Sequence, residues 1–128
     1  MTNYWKLVRD IEIVQGATWQ ASLRYLTKCS VGRKPVPVDL GGYTAKMVIR
    51  ECAVDSAFMI ELLSTAGSGD SGIVLGGATG EIELNITATD TGSKLTSGSG
   101  VYELELINGS TVIAFATGRA NVHQDIIR

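Results

Sequence analysis

The chain has 128 residues, enough to bury most of one core but too few for two, so a single domain over residues 1–128 is expected. Its 45% hydrophobic and 19% charged residues set it far from the composition of disordered chains. The formal net charge is −2 and neither sign clusters, which excludes an electrostatic footprint for nucleic acid or an anionic membrane.

At the N-terminus, Lys6, Arg9, Asp10 and Glu12 interrupt the apolar residues. The stretch therefore reads neither as a secretion signal nor as a spanning helix, and a soluble chain is expected. From Trp5 to Ile13 the apolar residues Trp5, Leu7, Ile11 and Ile13 fall on odd positions and Lys6, Asp10 and Glu12 on even ones, with Arg9 the exception among the charged residues. That is the pattern of a strand with one wet face, ended by Gly16. Trp19, Ala21, Leu23 and Tyr25 alternate with polar residues in a second strand.

The loop that follows holds Cys29 and both prolines, Pro35 and Pro37. Prolines cannot donate to a central ladder, so they mark an edge or a connection. Cys29 and Cys52 lack CxxC spacing and read as reduced, buried small hydrophobes, with no zinc or redox site.

Tyr43 to Glu51 is the third strand, with Ala45, Met47 and Ile49 on one side, Thr44, Lys46 and Arg50 on the other, and Val48 half-concealed at a polar position. Phe58–Leu63 reads as a strand, Ser64 to Gly72 as a small-residue loop and Ile73 to Leu75 as a short strand. Glu81 to Ile86 alternates cleanly after the Thr79-Gly80 turn. Residues 88–95 hold one helical turn, with Thr87 or Thr89 as its cap and Leu95 as its buried contact.

Tyr102, Leu104 and Leu106 alternate with Glu103 and Glu105 and lead to Asn108-Gly109, a pair suited to a type I′ hairpin turn. The return strand runs from Thr111 to Thr117, and the segment after Gly118 is less regular. Some seven to nine short strands imply an all-β sandwich or barrel, and of these an immunoglobulin-like antiparallel β-sandwich is the expected fold. Tyr102, after Leu95 and a run of glycines, stands where a tyrosine corner ties a crossing loop to a strand start.

No constellation for catalysis is evident. His123 is the sole histidine, with no GxSxG elbow or reactive-cysteine context to serve. Glu81, Glu83, Glu103 and Glu105 alternate with core residues and are expected to face solvent. Asp70 lacks calcium-loop spacing, and the glycine runs lack the helix N-terminus that phosphate binding needs. Neither a metal nor a cofactor is expected. Most aromatics lie on the core side, with Tyr4 and Tyr43 as possible exceptions.

The order of four segments carries a resemblance: IVQGATWQASLRY, PVPVDLGGYTAKMVIRE, GATGEIELNITATDTGSKLTSGSGVYELELING and ATGRANVHQDIIR. Its specific residues are Pro37, Val38, Asp39, Leu40, Gly42, Tyr43, Ala45, Ile49 and Arg50, then Gly80, Ile82, Leu84 and Thr87. They continue with Gly100, Tyr102, Leu104 and Glu105, and end with Gly118, Val122, Ile126 and Arg128. The pattern resembles a family of short phage proteins related to the N-terminal domain of siphophage baseplate upper proteins. It departs from that family at Gly41 and Ile127, where Thr is usual.

The resemblance implies an immunoglobulin-like sandwich in the virion, assembled in the host cytoplasm. Its role would be that of a tail, collar or baseplate adaptor joining fibre or tail subunits, in several copies or as a ring. In that family a fibre segment would follow residue 128, so on this resemblance the chain is expected to correspond to the adaptor domain alone. The expected docking residues are Pro35, Pro37, Asp39 and Tyr43 in one loop and Ser68 and Asp70 in another. The alternatives are a capsid decoration protein and a glycan-binding module, the latter needing exposed aromatics beside carboxylates.

Overall fold

The period-two segments become strands in a computed structural model that describes residues 7–26, 35–51, 58–65 and 70–124. The positions called at Tyr4, Trp5, Cys29, Cys52 and Ser68 lie outside the described residues. In chain order the strands are β1 (Leu7–Val8), β2 (Ile11–Val14), β3 (Trp19–Arg24), β4 (Thr44–Arg50), β5 (Phe58–Leu63), β6 (Gly72–Leu75), β7 (Glu81–Ile86), β8 (Gly98–Asn108) and β9 (Thr111–His123). A short 3-10 helix (Gly77–Thr79) and one helix, α1 (Ala88–Ser93), complete the described elements.

One sheet runs β1-β9-β8-β4-β5, with β2 also on β9; the other runs β3-β7-β6. The chain folds as an immunoglobulin-like sandwich, with β3, β7 and β6 in the places of strands B, E and D, and β4, β8 and β9 in those of C, F and G. Apolar residues from both inner faces meet in one core, including Met47, Ile49, Leu104 and Leu106 from the large sheet and Ile82 and Ile86 from the small one. Leu104 stands two residues after Tyr102, where antibody domains carry a disulfide cysteine. It is fully buried, so apolar packing fills that place.

Three details differ from the sequence expectation. The first strand is broken: β1 and β2 both pair parallel with β9 in one constant register, from Leu7 opposite Ala116 to Val14 opposite His123. The break falls at Arg9 and Asp10, the place where the alternation fails. There the Tyr102 hydroxyl donates to the Arg9 carbonyl (2.6 Å), and the Arg9 amide donates to the Thr117 carbonyl (2.9 Å). The tyrosine therefore ties β8 to the N-terminal edge, and its bond does not go to the Leu95 loop. Gly118 permits the approach, because a Cβ there would lie 2.0 Å from the Arg9 carbonyl oxygen.

Second, β9 continues through Gly118 to His123. A bulge sets Leu104 opposite Ala116 but Glu105 opposite Ala114, so Phe115 and Ala116 are both buried and the alternation changes phase. Third, the hairpin loop is Gly109-Ser110, between the paired Asn108 and Thr111. Gly109 takes the positive φ (61°) at the first loop position, one residue later than the Asn-Gly pairing implied.

Helix α1 is capped by Thr87, whose side chain accepts from the Asp90 amide (3.2 Å). Its Thr91 is fully buried. The Thr91 hydroxyl accepts from the Gly16 amide (3.0 Å) and donates to the Ala17 carbonyl (2.8 Å), which pins the helix to the β2–β3 turn.

Candidate functional site

The structure separates the two loops nominated from sequence. Pro35 and Pro37 are exposed, and Pro37 bridges the backbone of Leu26 beyond the end of β3. Asp39 is exposed and accepts from the Gly41 amide (2.8 Å) in a local turn. Tyr43 is half-buried and packs on the core. These residues lie at the end of the sandwich where β4 begins and β7 starts, since the Leu40 amide donates to Gly77 (2.9 Å). Asp70 lies at the opposite end, where its carbonyl accepts from the Asn85 side chain (3.3 Å). The next residue, Ser71, joins the Asp90 carboxylate at the start of α1. Asp70 therefore shares no surface with the Pro35–Tyr43 loop.

The ionisable groups form structural pairs on the outer faces. On the large sheet, Ser99 donates to Asn121 (2.8 Å), Asn121 donates to Glu12 (2.7 Å), and the His123 Nε2 lies 2.8 Å from the other Glu12 oxygen. The hydrogen bonds from Asn121 and His123 hold the exposed Glu12 carboxyl below the ordinary glutamate range. His123 is an exposed strand residue. Asp10 accepts from the Arg119 amide (3.1 Å), and Arg24 lies 3.8 Å from Glu81 across the small sheet.

Glu83 faces solvent as expected, whereas Glu81, Glu103 and Glu105 are half-buried. Glu103 and Glu105 sit with Lys46, Val48, Arg50 and Val101 around a cleft of about 460 Å³ on the outer face of the large sheet. Cross-strand register sets Lys46 opposite Glu105 and Val48 opposite Glu103, and Lys46 also reaches Glu61 (3.3 Å). The resulting face is mixed: valines between balanced charges. Sequence reasoning nominated loops and passed over this face, although Val48 at a polar position was its signal.

A second cleft, about 380 Å³, opens at the side of the sandwich between β2 and β3. Among the described residues both walls are sheet edges: β3 pairs with β7 alone, and β1 and β2 pair with β9 alone. Ile11, Trp19, Ala21, Leu23, Leu84 and Tyr102 contribute to its lining. The carboxylates nearby are engaged with β9, through Arg119, Asn121 and His123. Arg9, Gln20 and Ser22 also line it, so the seam offers apolar and polar side chains together with strand-edge backbone, a site suited to a strand.

The aromatic side chains at Trp19, Tyr25, Tyr43, Tyr102 and Phe115 pack into or against the core. They form no exposed stacking platform. No protein-family profile matches the chain, and no curated protein matches it.

Proposed function

We propose that this chain is a non-catalytic structural protein of a bacteriophage virion. It would act in the tail, collar or baseplate as an adaptor that docks neighbouring tail or fibre subunits in multi-copy assemblies. The order of the four sequence segments supports the phage assignment. The observation that carries the docking role is the open seam: a strand that is an edge among the described residues, beside a lining that is apolar in part. Engagement of the carboxylates near the seam by β9 and packing of the aromatics into the core favour this reading over a glycan-binding module. The Pro35–Tyr43 loop, at one end of the sandwich, offers a second contact region.

Mass spectrometry of purified virions tests the assignment, with several copies of the chain per particle as the expected result. Particles lacking it would refute the proposal. Cryo-EM density on the tail, collar or baseplate supports the adaptor role, and density on the head would replace it with capsid decoration.

A further inference from the structure

We infer that two copies of this chain join edge to edge through β3, making one continuous six-stranded sheet in the order β6-β7-β3-β3-β7-β6. The inference rests on the subunit-joining reading above and names one partner for it, a second copy of the chain.

The first ground is backbone geometry. β3 pairs with β7 residue for residue, from Trp19 opposite Ile86 to Arg24 opposite Glu81, with no bulge. The next residue in that register, Tyr25, donates its amide to the Gly80 carbonyl (2.8 Å). Hydrogen-bonding residues alternate along an antiparallel strand. Trp19, Ala21 and Leu23 therefore turn their backbone groups to β7, and Gln20, Ser22 and Arg24 turn theirs to the open edge. An antiparallel pairing centred on Ser22 sets Gln20 opposite Arg24 of the second copy, Ser22 opposite Ser22, and Arg24 opposite Gln20. That register uses every outward donor and acceptor of the strand. A register one residue off would turn the apolar side chains out of the core.

The second ground is charge. In this register no like charges stand opposite one another, since Arg24 meets a glutamine and Glu83 is separated from its copy by two serines. On the inner face, Leu23 meets Ala21 of the second copy, which continues the apolar rows of Ile82 and Leu84. The other edges are guarded. β5 carries the irregularity between Ile49 and Arg50 opposite Met59, β6 has four residues, and β1 and β2 are interrupted at Arg9 and Asp10. Self-pairing of β2 about Glu12 would set two carboxylates against each other. Breaks, bulges and repelling charges are the usual protections of an edge against pairing, and β3 has none of them.

Six residues a side make an interface below the standard size for a stable complex, so a dissociation constant on the order of tens of micromolar is expected. Sedimentation equilibrium of the purified chain from about 5 µM to about 1 mM reads it. Ser22 is exposed, so Ser22→Lys leaves the fold intact while setting two lysines together at the centre of the pairing. It should weaken self-association at least ~10-fold, and mixing it with Ser22→Glu should restore association. Ser22→Pro removes an outward amide without touching the β7 ladder and should act like Ser22→Lys. A wild-type chain that stays monomeric at 1 mM, or a Ser22→Lys chain that associates as wild type does, overturns the pairing. A dimer found in solution with no chain in virions would refute the virion assignment alone; a strict monomer found in virions would refute the β3 pairing alone.

Discussion

Replacing Gly118 by alanine tests how the N-terminal edge is held on β9. The added Cβ would lie 2.0 Å from the Arg9 carbonyl oxygen and 2.6 Å from its carbon, both backbone atoms that no rotamer change can move aside. Reaching ordinary contact near 3.4 Å requires a shift of roughly 1.4 Å. That shift breaks two hydrogen bonds converging on Arg9, from its amide to Thr117 (2.9 Å) and from the Tyr102 hydroxyl to its carbonyl (2.6 Å). At about 1 kcal/mol net for each bond, plus the lost packing of β1 and β2, the expected destabilisation is about 2–4 kcal/mol. Urea denaturation gives the total, and hydrogen exchange shows where it acts: Leu7 to Arg9 should lose protection while β4 and β8 keep theirs. A Gly118→Ala chain within about 0.5 kcal/mol of wild type would refute the close approach and the clamp built on it.

The same clamp predicts that Tyr102→Phe costs about 1 kcal/mol by thermal denaturation, and that Tyr102→Phe with Gly118→Ala costs less than the two separately, because both act through Arg9. Thr91→Val keeps the shape but strands the Gly16 amide and the Ala17 carbonyl. It should cost about 1–3 kcal/mol in urea denaturation, with Thr91→Ser losing markedly less. Glu12 has a lowered folded-state pKa, so its contribution to stability is present above the unfolded glutamate pKa and is lost as pH falls through the folded one. An NMR titration should place its midpoint below that of an ordinary glutamate, and Asn121→Ala should move it back up.

What the sequence made legible was whatever depends on neighbours along the chain. Ala45, Met47 and Ile49 fall on one face because a strand has period two, and all three are buried. Thr87 caps α1 because a cap needs only the next few residues. Arg9 was visible as a failure of alternation, but its meaning depends on Tyr102 and Gly118, which lie far away in sequence. Phe115 disturbs the pattern of β9 through a bulge defined by the partner strand β8. The docking surface was least legible of all. Ser64 begins its loop beside Ala45, to whose carbonyl its amide donates (3.0 Å), whereas Asp70 and Ser71 end it beside Asn85 and Asp90 at the opposite end. No local pattern shows that crossing, nor which strand ends at an edge.

The two faces of β3 make the edge testable one amide at a time. If its pairing with β7 is its only ladder among the described strands, the amides of Trp19, Ala21 and Leu23 are locked in it and those of Gln20, Ser22 and Arg24 are not. Hydrogen exchange of the dilute chain should therefore alternate along β3, slow at odd positions and fast at even ones. The alternation follows from strand geometry and holds whether or not a partner ever binds. Raising the concentration should then slow the even-numbered amides alone, because a second copy supplies acceptors only to them. Uniform protection of all six in dilute solution would mean that another segment already covers the edge, and uniform exchange would mean that β3 is not held on β7; either result removes the physical basis for docking there.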